Sequence, residues 1–115
     1  MICNCGLYKI SVNIPVDCLE DFMDSVSGAI EPLSRGYRRV FTYYPVESTW
    51  IPQNDAEPYI GKIEEKSVIA EVKVEFAIRE SDLAETLNAI RKVHPYEEPA
   101  IDIMPMVRPG DIIRP

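Results

Sequence analysis

From Val68 to Ile78 the side chains alternate without a break. Val68, Ala70, Val72, Val74, Phe76 and Ile78 fall on one side of an extended chain, and Ile69, Glu71, Lys73, Glu75 and Ala77 on the other. Period two with one apolar face and one mixed face describes a strand that buries a single side. A sheet of such strands must be covered on its apolar face, and this limits what the rest of the chain can form. Tyr8 to Ile14 repeats the pattern, with Tyr8, Ile10, Val12 and Ile14 opposite Lys9, Ser11 and Asn13, and Pro15 ends it.

Two amphipathic helices supply the cover. Asp17 followed by Glu20 reads as a helix start of the capping-box kind. Leu19, Phe22, Met23, Val26 and Ile30 then recur at helical spacing before Gly28 and Pro32 mark the end. Ser81 is the expected cap of the second helix, whose stripe is Leu83, Leu87, Ile90 and Val93. Pro95 turns His94 away from helical geometry, so this helix stops near Val93. Aromatic and β-branched residues from Tyr37 to Tyr44 favour a strand closed by Pro45. Ala100 to Met104 reads as a short last strand with Ile101 and Ile103 inward, ended by Pro105. Val46 to Lys66 is irregular, with a short extended piece at Thr49-Trp50-Ile51. A connection this long in a compact domain is usually functional or engaged with a neighbour.

The order strand, helix, strand, strand, helix, strand specifies an α+β, ferredoxin-like β-α-β-β-α-β sandwich: a four-stranded antiparallel sheet with both helices on one face. The first and third strands are expected at the centre. The 115 residues are read as one domain, with a core over about 7–106 and an irregular tail over 107–115. A composition of 46% hydrophobic and 27% charged residues is that of a folded domain. No apolar run approaches the roughly 18 residues of a membrane span. Met1 to Leu7 has neither the basic nor the long apolar region of a signal peptide, so the cytoplasm is the expected compartment.

A net charge of −7 disfavours binding to a phosphate backbone. Arg35-Gly36-Tyr37-Arg38-Arg39-Val40-Phe41 resembles an RNA-recognition strand only loosely. Arg38 and Arg39 stand where a small and an aromatic residue belong, and the segment falls on the second strand rather than the third. It reads instead as an edge strand guarded by arginine, with no nucleic acid as partner. Of the three cysteines, Cys3-x-Cys5 lacks the second pair a zinc site needs. Cys18 opens the first helix, where Asp17, Glu20 and Asp21 oppose a thiolate. Free thiols fit a reducing compartment.

Chemistry concentrates in His94-Pro95-Tyr96-Glu97-Glu98-Pro99, where two prolines restrict the backbone between them. His94, Glu97 and Glu98 are candidate ligands for a divalent cation such as zinc or manganese. In an extended segment, however, Glu97 and Glu98 point opposite ways, and a rigid connector with solvated carboxylates and a packed Tyr96 is the alternative. Trp50, Tyr59 and Tyr96 are candidates for an aromatic pocket or an interface. Neither a histidine-paired nucleophile nor a glycine-rich phosphate loop is present, so no catalytic residue is assigned.

Four segments carry a resemblance: Gly36-Tyr37, Thr49-Trp50-Ile51-Pro52, Glu57-Pro58-Tyr59-Ile60-Gly61 and His94-Pro95-Tyr96-Glu97-Glu98-Pro99-Ala100-Ile101-Asp102-Ile103. Over Tyr8 to Met106 the chain is similar to the YqfO-type CutA/PII-like domain of the NGG-interacting-factor-three family, here expected as a free-standing chain. The resemblance implies a ferredoxin-like fold, assembly into oligomers, most simply a homotrimer, and no established catalysis. The dinuclear metal site of the larger members lies in another of their domains and is not carried over. This chain departs from the family at Tyr43-Tyr44-Pro45-Val46-Glu47, where small residues are usual, and at Cys3, Cys5 and Arg108 to Pro115, which have no counterpart. The expected function is a small oligomeric binding or regulatory module sensing a small ligand or a divalent cation. A metal-dependent, hydrolase-related protein is the alternative.

Overall fold

The computed structural model describes residues 6–33 and 35–109. Four strands, β1 (Leu7–Ile14), β2 (Thr42–Trp50), β3 (Ser67–Arg79) and β4 (Ile101–Pro105), form one antiparallel sheet in the order β2-β3-β1-β4. Helices α1 (Leu19–Ser27) and α2 (Leu83–Val93) each follow a short 3-10 turn and pack together on one face. This is the α+β ferredoxin-like sandwich expected, with the first and third strands central.

The register explains the core. Ile10 pairs with Phe76, Val12 with Val74 and Ile14 with Val72, so the apolar faces of β1 and β3 merge into one surface. All six residues are buried, and Phe22 and Val26 of α1 and Ile90 of α2 close over them. Phe22, Phe41 and Phe76 meet edge to face at centroid separations of 5.2–6.3 Å, an arrangement the ring quadrupoles favour.

The second strand departs from the sequence reading. It begins at Thr42 rather than Tyr37 and runs through Pro45 to Trp50, taking in Thr49 and Trp50 of the extended piece but not Ile51. Pro45 did not close the strand because β2 is an edge, where a missing N–H on the outer side interrupts no ladder. Residues 35–41 instead cross α1, and Arg39 is held there by ion pairs to Glu20 and Asp24. Arg39 therefore anchors a loop to a helix and does not guard a strand edge.

Asp82 rather than Ser81 precedes the second helix, at the end of a 3-10 turn that includes Ser81, and its carboxylate accepts from the Glu31 amide instead of capping the helix. The buried face of this helix is Thr86, Ala89 and Ile90, with Leu83 and Val93 beside them, while Leu87 lies half-buried outside this cluster. Thr86 was hidden from the apolar stripe by its hydroxyl, which bonds back to the Asp82 carbonyl at 2.7 Å and is thereby satisfied. The Cys3-x-Cys5 pair and the tail from Gly110 lie outside the described residues. No helix of the described residues is long and apolar enough to cross a membrane.

Candidate functional site

Opposite the helices, the sheet is not uniformly open. The connector from α2 to β4 wraps the end of β1: His94 bonds the Asn13 carbonyl, and the Asn13 amide donates to the Ala100 carbonyl at 3.4 Å. Tyr96 thereby reaches the face away from the helices and donates its hydroxyl to Glu71 Oε2 at 2.5 Å. The long loop 51–66 folds over the same region. Its ends are tied by the Glu64 amide to the Pro52 carbonyl at 2.6 Å, and its middle by the Glu57 amide to Glu97 Oε1 at 3.0 Å.

Between loop, connector and sheet lies a cleft of about 430 Å³. Trp50, Tyr59 and Tyr96 form its aromatic wall. Trp50 and Tyr96 meet edge to face at 5.6 Å, and Tyr59 lies 6.1 Å from Tyr96. Glu71 and Asn13 belong to its floor, and Glu97 and Glu98 to its rim. The three aromatic candidates thus come together, with the two carboxylates of the connector beside them.

His94 takes a different place. It is buried at the end of α2 and does not line the cleft. Its Nδ1 accepts the Tyr96 amide at 3.3 Å, which leaves Nε2 to carry the proton donated to the Asn13 carbonyl at 2.7 Å. Burial pushes its pKa below the usual histidine value; the bond to Asn13 and the charge of Glu71 oppose this only partly. With both ring nitrogens engaged, His94 acts as a clamp on the connector, and Glu97 and Glu98 stand apart from it. Among the described residues, no group of three His, Cys, Asp or Glu side chains converges to hold a metal ion.

Glu71 and Asn13 were not legible as site residues. Period two assigns Glu71 to a solvated face, yet it is only 3% exposed, roofed by Tyr96 and the loop. Asn13 Oδ1 is buried, with no hydrogen-bond partner among the described residues. Tyr96 itself stays protonated. Burial raises its pKa far above the usual phenol range, and the bond to Glu71 and that carboxylate's charge add to the effect. Cys18 carries a free thiol, its pKa pushed up by burial and by Asp17.

No family model matches the chain. Over 99 residues it is 35% identical to the GTP cyclohydrolase 1 type 2 homolog of Staphylococcus epidermidis, a match covering 86% of this chain and 27% of that protein. Among solved structures, a Bacillus cereus protein related to NIF3 superposes with a TM-score of 0.76 and 24% identity, covering 89% of this chain and 26% of that one. The periplasmic divalent cation tolerance protein CutA from Archaeoglobus fulgidus superposes with a TM-score of 0.65 and 14% identity, covering 89% of this chain and 85% of that one. The chain spans about a quarter of the length of the curated relatives it matches. By sequence the chain is therefore similar to one segment of the proteins named GTP cyclohydrolase 1 type 2 homolog, and its fold is the one shared by the NIF3-related and CutA structures.

Proposed function

We propose that this domain is a self-associating binding or regulatory module whose ligand site is the aromatic cleft. One observation carries the reading: Trp50 and Tyr59, from the end of β2 and the loop after it, converge with Tyr96 of the distant connector over a buried carboxylate to enclose a space of ligand size. A rigid connector alone would not require the long loop to be tied to it. The occupant is a small organic molecule rather than a metal held by His94, Glu97 and Glu98, because His94 would have to surrender a hydrogen bond to coordinate. The tolerance to divalent cations named for the Archaeoglobus protein still makes a zinc and manganese titration worthwhile. Binding lost in His94→Ala would restore the metal reading.

A fragment library screened by protein-observed NMR tests the proposal, with the Trp50 indole N–H as reporter. Compounds should bind competitively at that resonance and be lost in Tyr59→Ala, a change at a half-exposed ring that leaves the core intact. Hits that survive Tyr59→Ala and leave Trp50 unmoved would place the site elsewhere. The catalytic alternative takes its motive from the relatives' name, and turnover of GTP with added zinc or manganese would support it. We assign the domain to the cytoplasm on its cysteine usage. Alkylation of all three thiols without reductant is the expected result.

A further inference from the structure

We infer that the cleft selects a flat or compact organic cation, an amidinium, guanidinium or ammonium group on an apolar body, and this rests on the cleft being the ligand site. The sign of the charge follows from the lining. The acidic side chains of the lining are Glu71, Glu97 and Glu98, and among the described residues no lysine or arginine lines the space. The wall is a continuous set of ring faces and edges, and ring faces attract cations when centred within about 6 Å.

The hydrogen-bonding groups of the lining are mixed: Ser48, Trp50 and the Asn13 amide bring donors, and the carboxylates bring acceptors. Ionised carboxylates only accept, the Tyr96 hydroxyl proton is committed to Glu71, and the Thr49 hydroxyl proton to the Ser67 carbonyl at 2.7 Å. Asn13 Oδ1 is a buried acceptor with no hydrogen-bond partner among the described residues. A metal ion is the wrong cation, because it needs several donors within about 2.0–2.6 Å and the carboxylates do not converge. An organic cation tolerates donors spread around it, since its charge is delocalised and its body fills the space between. An anion would meet three carboxylates with no counter-charge in the lining.

Trp50 is the chain's single tryptophan, so its fluorescence reports on the cleft directly. Benzamidine, benzamide and benzoate have nearly one shape and carry positive, zero and negative charge. Benzamidine should shift Trp50 emission saturably and bind about tenfold tighter than benzamide, weakening with salt, while benzoate should not bind. Joint replacement Glu97→Gln and Glu98→Gln retains an acceptor for the Glu57 amide. It should weaken benzamidine by about tenfold and leave benzamide unchanged. Benzamide or benzoate binding as tightly as benzamidine overturns the cationic assignment and leaves the cleft as a site. Silence toward all three also overturns it, and the cleft itself then falls only if the fragment screen fails as well.

Discussion

The Tyr96 hydroxyl donates to Glu71 Oε2 at 2.5 Å and so joins the connector before β4 to the middle of β3. It gives a buried carboxylate its donor and fixes the ring against which Trp50 and Tyr59 pack. Tyr96→Phe leaves the carboxylate buried and unpaired, so stability should fall by about 1–3 kcal/mol. Adding Glu71→Gln should recover part of that loss, because an unpaired amide is cheaper to bury than a carboxylate. Urea unfolding of the two single variants and the double variant measures the coupling; strictly additive losses would show that the contact carries no energy. Because Tyr96 stays protonated, Tyr96→Phe should also leave the alkaline ultraviolet titration unchanged up to about pH 11.

His94 makes stability depend on pH. Burial lowers its folded pKa below the usual 6.5, so on acidification the unfolded chain takes up a proton first. The stabilisation is complete above pH 6.5 and is lost as pH falls through the folded value. Protonation also removes the Nδ1 lone pair that accepts the Tyr96 amide, which loosens the connector and the cleft together. His94→Gln should lower the urea midpoint at neutral pH and flatten its slope below pH 6.5. An unchanged slope would move the acid sensitivity to the carboxylates alone.

The parts of the fold set by local periodicity were legible. β1 and β3 alternate cleanly because each buries one face, and α1 shows its stripe because Leu19, Phe22, Met23 and Val26 meet one surface. β2 was misplaced because it lies at an edge and is mostly exposed, so packing imposes little pattern on it. The cleft was half legible. Prolines and aromatics marked the connector and the loop, but burial of Glu71 depends on Tyr96, 25 residues away in sequence. No window of sequence contains that contact. The same limit applies to His94, whose two bonds decide between clamp and ligand and are visible only in the fold.

Gly61 holds the loop over the cleft at a φ of +102°, where a Cβ would also collide with Ser67 Oγ. Gly61→Ala should cost about 1–2 kcal/mol and weaken cleft ligands. Gly36, at φ +87° with no atom within 4 Å of an added Cβ, provides the control for backbone strain alone. Gly61→Ala should be the costlier change, and Ser67→Ala in its background should restore the difference. Equal costs at Gly36 and Gly61, measured by thermal unfolding, would remove the collision from the account.

Assembly should complete what the single chain leaves exposed. β1 ends at Ile14 opposite Val72, so Val46–Trp50 and Ser67–Glu71 continue as a two-stranded ribbon without a third strand among the described residues. Such a ribbon is marginally stable alone. It exposes Val68 to 52%, with Ile51 just past its end exposed to 55%. The outer side of β2 also offers unpaired backbone groups, and the stretch after Pro45 is a run uninterrupted by proline. A neighbour's edge pairing there would supply the missing strand and cover the apolar residues. Static light scattering after size exclusion at micromolar concentration should give a trimer, the symmetry that the resemblance to CutA/PII-like proteins implies. Val68→Lys places a charge on the exposed flank, and should yield a monomer with an unchanged far-ultraviolet circular dichroism spectrum. A stable dimer of the unmodified chain would keep the edge pairing and reject threefold symmetry. A monomer would leave the ribbon stabilised by the loop and Trp50 alone, and the self-association proposal would fail.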